Sequence, residues 1–345
     1  MKRLVEQLFS ETSLTHTEYA RLLAGLSPSV LEYIGTYARR VSQERFGNKI
    51  YLRGLIEITN YCKNNCYYCG IRRDNRQVER YRLNKDILME TCWLGNQLGI
   101  KTFVLQGGED AGLKDNDIED LVRTIRKEFP DTAITLSLGE KKRNTYQQLF
   151  DAGANRYLLR HETADSKHYA YLHPREMLFE NRMNSLKALK EIGYQTGVGM
   201  MIGSPGQTIE NLVDDILFIE QFQPEMIGMG PYIPQKDTPF ANEKPGNLEM
   251  TLLLISIFRL LFPGVLIPAT TSLATLATDG YEQGILAGAN VIMLNLTPSG
   301  YREKYALYDN KRSASQEAID EYNELTKRMN EIGYCFSDSR GDYLI

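Results

Sequence analysis

Tryptophan occurs once and histidine four times in 345 residues, and the five cysteines are too few and too uneven for a disulfide framework. Charge of one sign is missing as well: 40 Lys+Arg against 44 Asp+Glu leave a formal net charge of −4, which excludes the strongly basic profile of a nucleic-acid binder. No apolar run spans a bilayer, since the longest, Leu252 to Leu261, is broken by Ser256 and Arg259 and a span needs about 20 residues. Near the start, Glu6 and Gln7 interrupt what would be the core of a signal peptide, so the expected location is the cytoplasm. What remains is an ordinary globular composition, 42% hydrophobic and 24% charged, that buries a large core.

Residues 1–48 read as helices alone, at Met1–Ser10, His16–Ala24 and Ser27–Phe46, from apolar residues three and four apart with Ser or Thr near the starts. From Lys49 onward short β-like runs alternate with amphipathic stretches, as repeated βα units require. Strands are expected at Tyr51–Thr59, Thr102–Gln106, Ala133–Leu138, Arg156–Arg160, Thr196–Ile202, Met226–Met229, Val265–Ala269 and Asn290–Leu294. Helices fit between them at Lys85–Gly99, Asp115–Phe129, Asn144–Gly153, Phe179–Gly193, Thr208–Phe222, Leu248–Phe262 and Gly280–Gly288. Eight such units over about 250 residues point to an α/β fold, a TIM-type (β/α)8 barrel. A partly closed barrel of six units is the alternative. The expected organisation is an N-terminal helical extension (1–48), the barrel (49–300), and a C-terminal helical cap and tail (301–345) with a last helix at Ala314–Ile332.

In a parallel barrel the chemistry gathers on the loops after the strands. Here those loops hold Glu, Arg, His and paired Thr, which are costly at a barrel mouth unless paired or solvated, so one shared site is expected there. The sharpest signal is Cys62-Lys-Asn-Asn-Cys66-Tyr-Tyr-Cys69, directly after the first strand. Three thiolates around a loop hold three corners of an iron–sulfur cube and leave a fourth corner open. Zinc is the alternative and needs a fourth ligand. Cys92 lies mid-helix and Cys335 in the tail, which leaves His161 or His173 to complete such a site through the fold.

Cys-x3-Cys-x2-Cys, with Tyr68 before its last cysteine, resembles the signature of the radical S-adenosylmethionine (SAM) enzymes. Gly107-Gly108-Glu109 resembles that family's Gly-Gly-Glu element, whose backbone lies along the methionine amino group of SAM. The resemblance implies one 4Fe–4S cluster on Cys62, Cys66 and Cys69, an open iron that chelates SAM, and reductive cleavage to a 5′-deoxyadenosyl radical. The protein's share is then orientation and exclusion of water.

Six further runs, Leu105–Asp110, Thr135–Glu140, Arg156–Thr163, Phe179–Arg182, Gly203–Thr208 and Ile267–Thr271, narrow the resemblance to the maturases that help build the FeFe-hydrogenase active-site cluster. It implies SAM contacts from Tyr68, Gly107, Gly108, Glu109, Ser137, Glu162, Arg182 and Met201. Arg182 would fork onto the methionine carboxylate, and Glu162 would meet the ribose or the amine. Thr135, Arg160, Thr270 and Thr271 would line a deeper substrate cavity closed by Tyr301 and Tyr305. A buried arginine is expensive without an anion, so an anionic substrate, or a cyanide- or carboxylate-bearing metal complex, is expected at Arg160; the resemblance implies an organometallic iron–cysteine precursor carrying CO and cyanide. His161 reads as structural.

Some family members hold an auxiliary cluster near the C-terminus. Asp309-Asn-Lys-Arg-Ser313 stands in that region here, so one cluster is expected, which disfavours chemistry like that of biotin synthase. A reaction on an amino acid, like that of methylornithine synthase, stays open. So does a non-catalytic carrier that shelters a metal complex. The implied partners are a low-potential electron donor, flavodoxin or ferredoxin, and other hydrogenase maturases, with neither nucleic acid nor membrane.

Overall fold

The computed structural model describes residues 1–311 and 318–343. Its strands, in chain order, are β1 (Lys49–Thr59), β2 (Thr102–Gly107), β3 (Ala133–Ser137), β4 (Arg156–Leu158), β5 (Gln195–Val198), β6 (Met201–Ile202), β7 (Met226–Ile227), β8 (Gly230–Pro231), β9 (Pro268–Ala269), β10 (Val291–Asn295) and β11 (Cys335–Ser337). Neighbours hydrogen-bond in the order β7-β5-β4-β3-β2-β1-β10-β9, every pair parallel. A parallel bridge from Met226 to Leu266 joins the two ends of that series. Eight strands therefore form a nearly closed TIM-type (β/α)8 barrel, and the six-unit alternative falls away.

The expected strand Thr196–Ile202 is divided and Met226–Met229 is cut short, with a further short strand after it, for one reason. A Cβ placed on Gly199 would lie 1.9 Å from the Gly228 carbonyl oxygen, and the Gly199 N–H is held by His161 Nδ1 at 3.2 Å. The facing glycines let the chains pinch together and leave the ladder. They resume as β6 and β8, which pair with each other.

The N-terminal helices are α1 (Lys2–Glu11), α2 (His16–Ala24) and α3 (Pro28–Phe46). Thr15 and Glu18 build a capping box on α2, and Ser27 caps α3 ahead of Pro28. Helix α3 packs on Leu248–Leu261, which explains why that helix is apolar on nearly every side: the barrel covers one face and α3 another. One continuous core runs from Leu4 to Tyr334. Three short helices, Ser166–Leu172, Thr271–Leu276 and Ser299–Arg302, were not anticipated from periodicity, being too short to display it. The last helix is described over Ala318–Glu331, and the expected start at Ala314 lies outside the described residues. No helix among the described residues is long and apolar enough to cross a membrane.

The chain beyond that helix belongs to the barrel. β11 runs parallel to β1, pairing Lys49 with Cys335 and Tyr51 with Ser337. The next residues close the barrel floor around Arg156, a wholly buried side chain whose Nη2 donates to the carbonyls of Arg340 (3.0 Å) and Gly341 (2.9 Å) and to Asp342 Oδ1 (2.8 Å). Thr102 Oγ1 and Gln195 Oε1 accept from its other nitrogens.

Candidate active site

The three cysteines sit on an irregular loop that needs outside support. Buried Asn60 supplies part of it: its amide donates to the carbonyls of Glu79 (2.9 Å) and Lys304 (2.7 Å), and its oxygen accepts from the Tyr81 N–H (2.7 Å). Arg80 supplies the rest, donating to the carbonyls of Asn60 (2.5 Å), Ile71 (2.8 Å), Arg72 (2.6 Å) and Asn75 (3.0 Å). One guanidinium thus gathers both sides of the loop. Gly70 follows Cys69 because nothing larger fits, since a Cβ there would lie 1.9 Å from the Ala306 carbonyl oxygen.

Cys62, Cys66 and Cys69 line a cavity of about 280 Å³ together with Tyr68, Gly107, Gly108, Glu109, Ser137, Arg160, Glu162, Arg182, Met201 and Tyr305. Burial pushes all three thiols up, Cys69 to about 12, so iron must displace their protons to bind. Among the described residues no three His, Cys, Asp or Glu side chains are arranged to hold a single metal ion. Both histidines proposed for zinc are engaged at both ring nitrogens. His161 lies between Asp215 and the Gly199 N–H, and His173 between the Tyr169 carbonyl and the Tyr68 hydroxyl (3.1 Å). Three thiols on a shared void without a fourth protein ligand fit an iron–sulfur cube, and the zinc alternative is set aside.

The Gly-Gly-Glu element lies against this loop. A Cβ on Gly108 would sit 2.2 Å from the Tyr61 carbonyl oxygen and 2.7 Å from Cys62 Cβ. Glu109 ties three strand ends together: Oε2 meets Lys63 Nζ at 3.1 Å, Oε1 accepts from the Glu140 N–H at 2.9 Å, and its carbonyl accepts from the Lys63 N–H at 2.8 Å. Gly139, at φ +71°, makes room for that carboxylate, a role the sequence reading passed over.

Arg182, in the first turn of Phe179–Ile192, is buried. It donates through Nε to Glu140 Oε1 (2.7 Å) and through Nη1 to the Arg160 carbonyl (2.5 Å). Glu140, which the sequence marks only as the end of the run Thr135–Glu140, is the residue that aims Arg182. Glu162 adopts φ +67°, a strained backbone for a non-glycine residue, where the Gly199 carbonyl holds its N–H at 2.9 Å. Strain of this kind collects at functional sites because the surrounding structure must impose it.

Several expectations for the deeper cavity need correction. Arg160 is not a buried charge awaiting an anion: its side chain is 35% exposed and its Nη2 stands 3.0 Å from Glu162 Oε2. The anion it meets is therefore within the chain. Thr135 is buried two residues before Ser137 on β3 and off the cavity wall, with no hydrogen-bond partner for Oγ1. Thr271 opens the helix Thr271–Leu276 and Thr270 bonds Ser272 Oγ at 2.9 Å, so Ser272 forms the wall there instead. Tyr305 lines the cavity, whereas Tyr301 packs on the Tyr81 ring 5.1 Å away and is off the wall.

Comparison with known proteins matches this arrangement. The profile of the Radical SAM superfamily covers residues 56–219, from β1 through the cysteine loop, the Gly-Gly-Glu element, Glu162 and Arg182. The FeFe-hydrogenase maturase subunit HydE of Thermotoga maritima is 47% identical over 274 residues, 79% of this chain and 78% of that protein. The chain belongs to the radical SAM superfamily. Like its members it is an enzyme that works with a 4Fe–4S cluster and SAM. The 3-methylornithine synthase of Methanosarcina acetivorans is 29% identical, aligned over 96% of this chain and 93% of its own. The crystal structure of methylornithine synthase PylB superposes with a TM-score of 0.85 at 29% identity, covering 97% of both chains.

Proposed function

We propose that this enzyme cleaves SAM reductively at the mouth of the barrel and acts on a small substrate beneath it, in assembly of the FeFe-hydrogenase active-site cluster. The observation that carries the first half is convergence: three thiols, the Gly107–Gly108 backbone, strained Glu162 and Glu140-braced Arg182 share one cavity. The likeness to HydE supports the second half.

In this reading Cys62, Cys66 and Cys69 hold the cluster, which when bound supplies the electron for SAM cleavage. Gly107 and Gly108 lend bare backbone to the methionine amine, and Arg182, fixed in direction by Glu140, lends a planar fork to the carboxylate. Ser137, Tyr68 and Met201 flank the rest of SAM. Glu162, held on Arg160, faces the ribose or amine, and Glu109 positions the loops rather than touching the cofactor. A flavodoxin or ferredoxin delivers the electron, other hydrogenase maturases take the product onward, and the site of action is the cytoplasm.

Anaerobic reconstitution with iron and sulfide tests this. Reduced protein with SAM is expected to yield 5′-deoxyadenosine, more so with an organometallic iron–cysteine complex present. Cys66→Ala is expected to remove both the cluster's absorption and the product. Full activity in Cys66→Ala would sink the cluster assignment, and absence of 5′-deoxyadenosine from the wild type would favour the non-catalytic carrier. The near full-length match to methylornithine synthases supports a second reading, radical attack on an amino acid. Stimulation of SAM cleavage by free amino acids but not by the iron complex would select it.

A further inference from the structure

The segment Tyr301–Lys311 crosses the barrel mouth as a strap. Its Leu307 carbonyl accepts from the Gly70 N–H at 2.8 Å, beside Cys69, and its Asp309 N–H donates to the Pro234 carbonyl at 3.1 Å. Tyr305 and Tyr308 face two spaces at once: the reaction cavity inside and, outside, a groove of about 670 Å³. These two tyrosines are shared by the walls of both spaces.

Its far end is pinned by a charge pair. Asn310 turns the backbone at φ +52°, a conformation that asparagine tolerates better than most residues. The next residue, Lys311, sends its ammonium into the barrel, where Nζ donates to Glu57 Oε1 and to the Tyr305 carbonyl at 3.2 Å. Glu57 is wholly buried on β1, and its other oxygen accepts from Asn295 Nδ2 at 3.1 Å. The ammonium also lies 4.9 Å from the Tyr305 ring. A buried ion pair is a poor way to gain stability, because desolvation offsets most of the attraction. It is a good way to make a contact directional, since either partner alone in that place is costly.

We infer that Tyr305–Lys311 is the gate of the reaction cavity and that Glu57 and Lys311 are its latch, positioning residues that hold Tyr305 and Tyr308 closed. The inference rests on the enzyme reading only for its second readout. The first is trypsin cleavage at Arg302 and Lys304 in the reconstituted protein. Lys311→Met is expected to speed it at least tenfold, and Lys311→Arg to restore the wild-type rate. The second is 5′-deoxyadenosine formed from SAM and dithionite without any substrate, expected to rise at least fivefold in Lys311→Met because an open wall lets products leave. Should Lys311→Met fail to fold, Glu57→Gln/Lys311→Met, which leaves no lone buried charge, carries the same expectations. Variants that melt and absorb like the wild type, yet match it within twofold in both trypsin cleavage and substrate-free turnover, would overturn the gate. A wild type that makes no 5′-deoxyadenosine would instead overturn the enzyme reading, with the trypsin result still deciding the gate.

Discussion

Arg156 and Arg160 stand four residues apart on one strand line and face opposite ends of the barrel. At the floor, each nitrogen of Arg156 donates to the chain itself, to Thr102, Gln195 and the 340–342 turn. At the mouth, Arg160 has a single carboxylate beside it, on a residue whose backbone is strained, and stays partly open. The same side chain closes a structure at one end and keeps one available at the other. The contrast follows the division of a parallel barrel into a stability face and a chemistry face.

Removing the floor arginine is the most disruptive way to test that contrast. Arg156→Met leaves the Arg340 and Gly341 carbonyls and Thr102 and Gln195 without their donor, while Asp342 keeps Arg340; at about 1–3 kcal/mol for each unsatisfied buried group it is expected to cost about 3–5 kcal/mol of stability, read by urea unfolding, while the folded fraction retains its SAM cleavage rate. A loss of activity larger than the loss of folded protein would erase the distinction. Glu162→Gln should do the reverse. A hundredfold drop in 5′-deoxyadenosine formation, about 2.7 kcal/mol at the barrier, is expected with a melting point close to the wild type's.

The mouth also carries a pH signature. Burial pushes His173 down to about 3 in the folded protein, against about 6.5 when unfolded. Below pH 6.5 the unfolded chain takes up a proton that the folded one refuses, so stability falls as the pH drops from 6.5 toward 3. The slope is at most about 1.4 kcal/mol per pH unit, and His173→Gln should flatten it. A wild-type slope unchanged by that substitution would mean the residue is not what resists acid. The smallest effect belongs to Lys63→Ala. Its ion pair with Glu109 is 57% exposed on the lysine side, so less than about 1 kcal/mol and under a twofold change in activity are expected.

Much of the mouth was legible in the sequence because its chemistry is local. The cysteine spacing, the Gly-Gly pair and the strand-end placement of Glu162 are set by short stretches of chain, and alternation placed all eight barrel strands. What could not be read were contacts between distant segments. Nothing near Arg160 in sequence shows that Glu162 turns back onto it, since that depends on a left-handed backbone imposed by Gly199. The use of Ser272 rather than Thr271 as cavity wall depends on where a six-residue helix begins. Arg156 looks like any strand arginine because three of its partners lie some 185 positions away and the other two 39 and 54.

The pairing of β1 with β10 and β11 has a consequence for biosynthesis. The first barrel strand waits for the last ones, so the ring cannot close on a nascent chain until residues 291–337 have emerged, and folding dominated by such distant pairings is slow. The cysteine loop is tied to the same late segment through Lys304 and Leu307. Its thiols therefore reach their final arrangement only after Lys304 and Leu307 have folded back onto the loop, so the ligand geometry follows ring closure rather than preceding it.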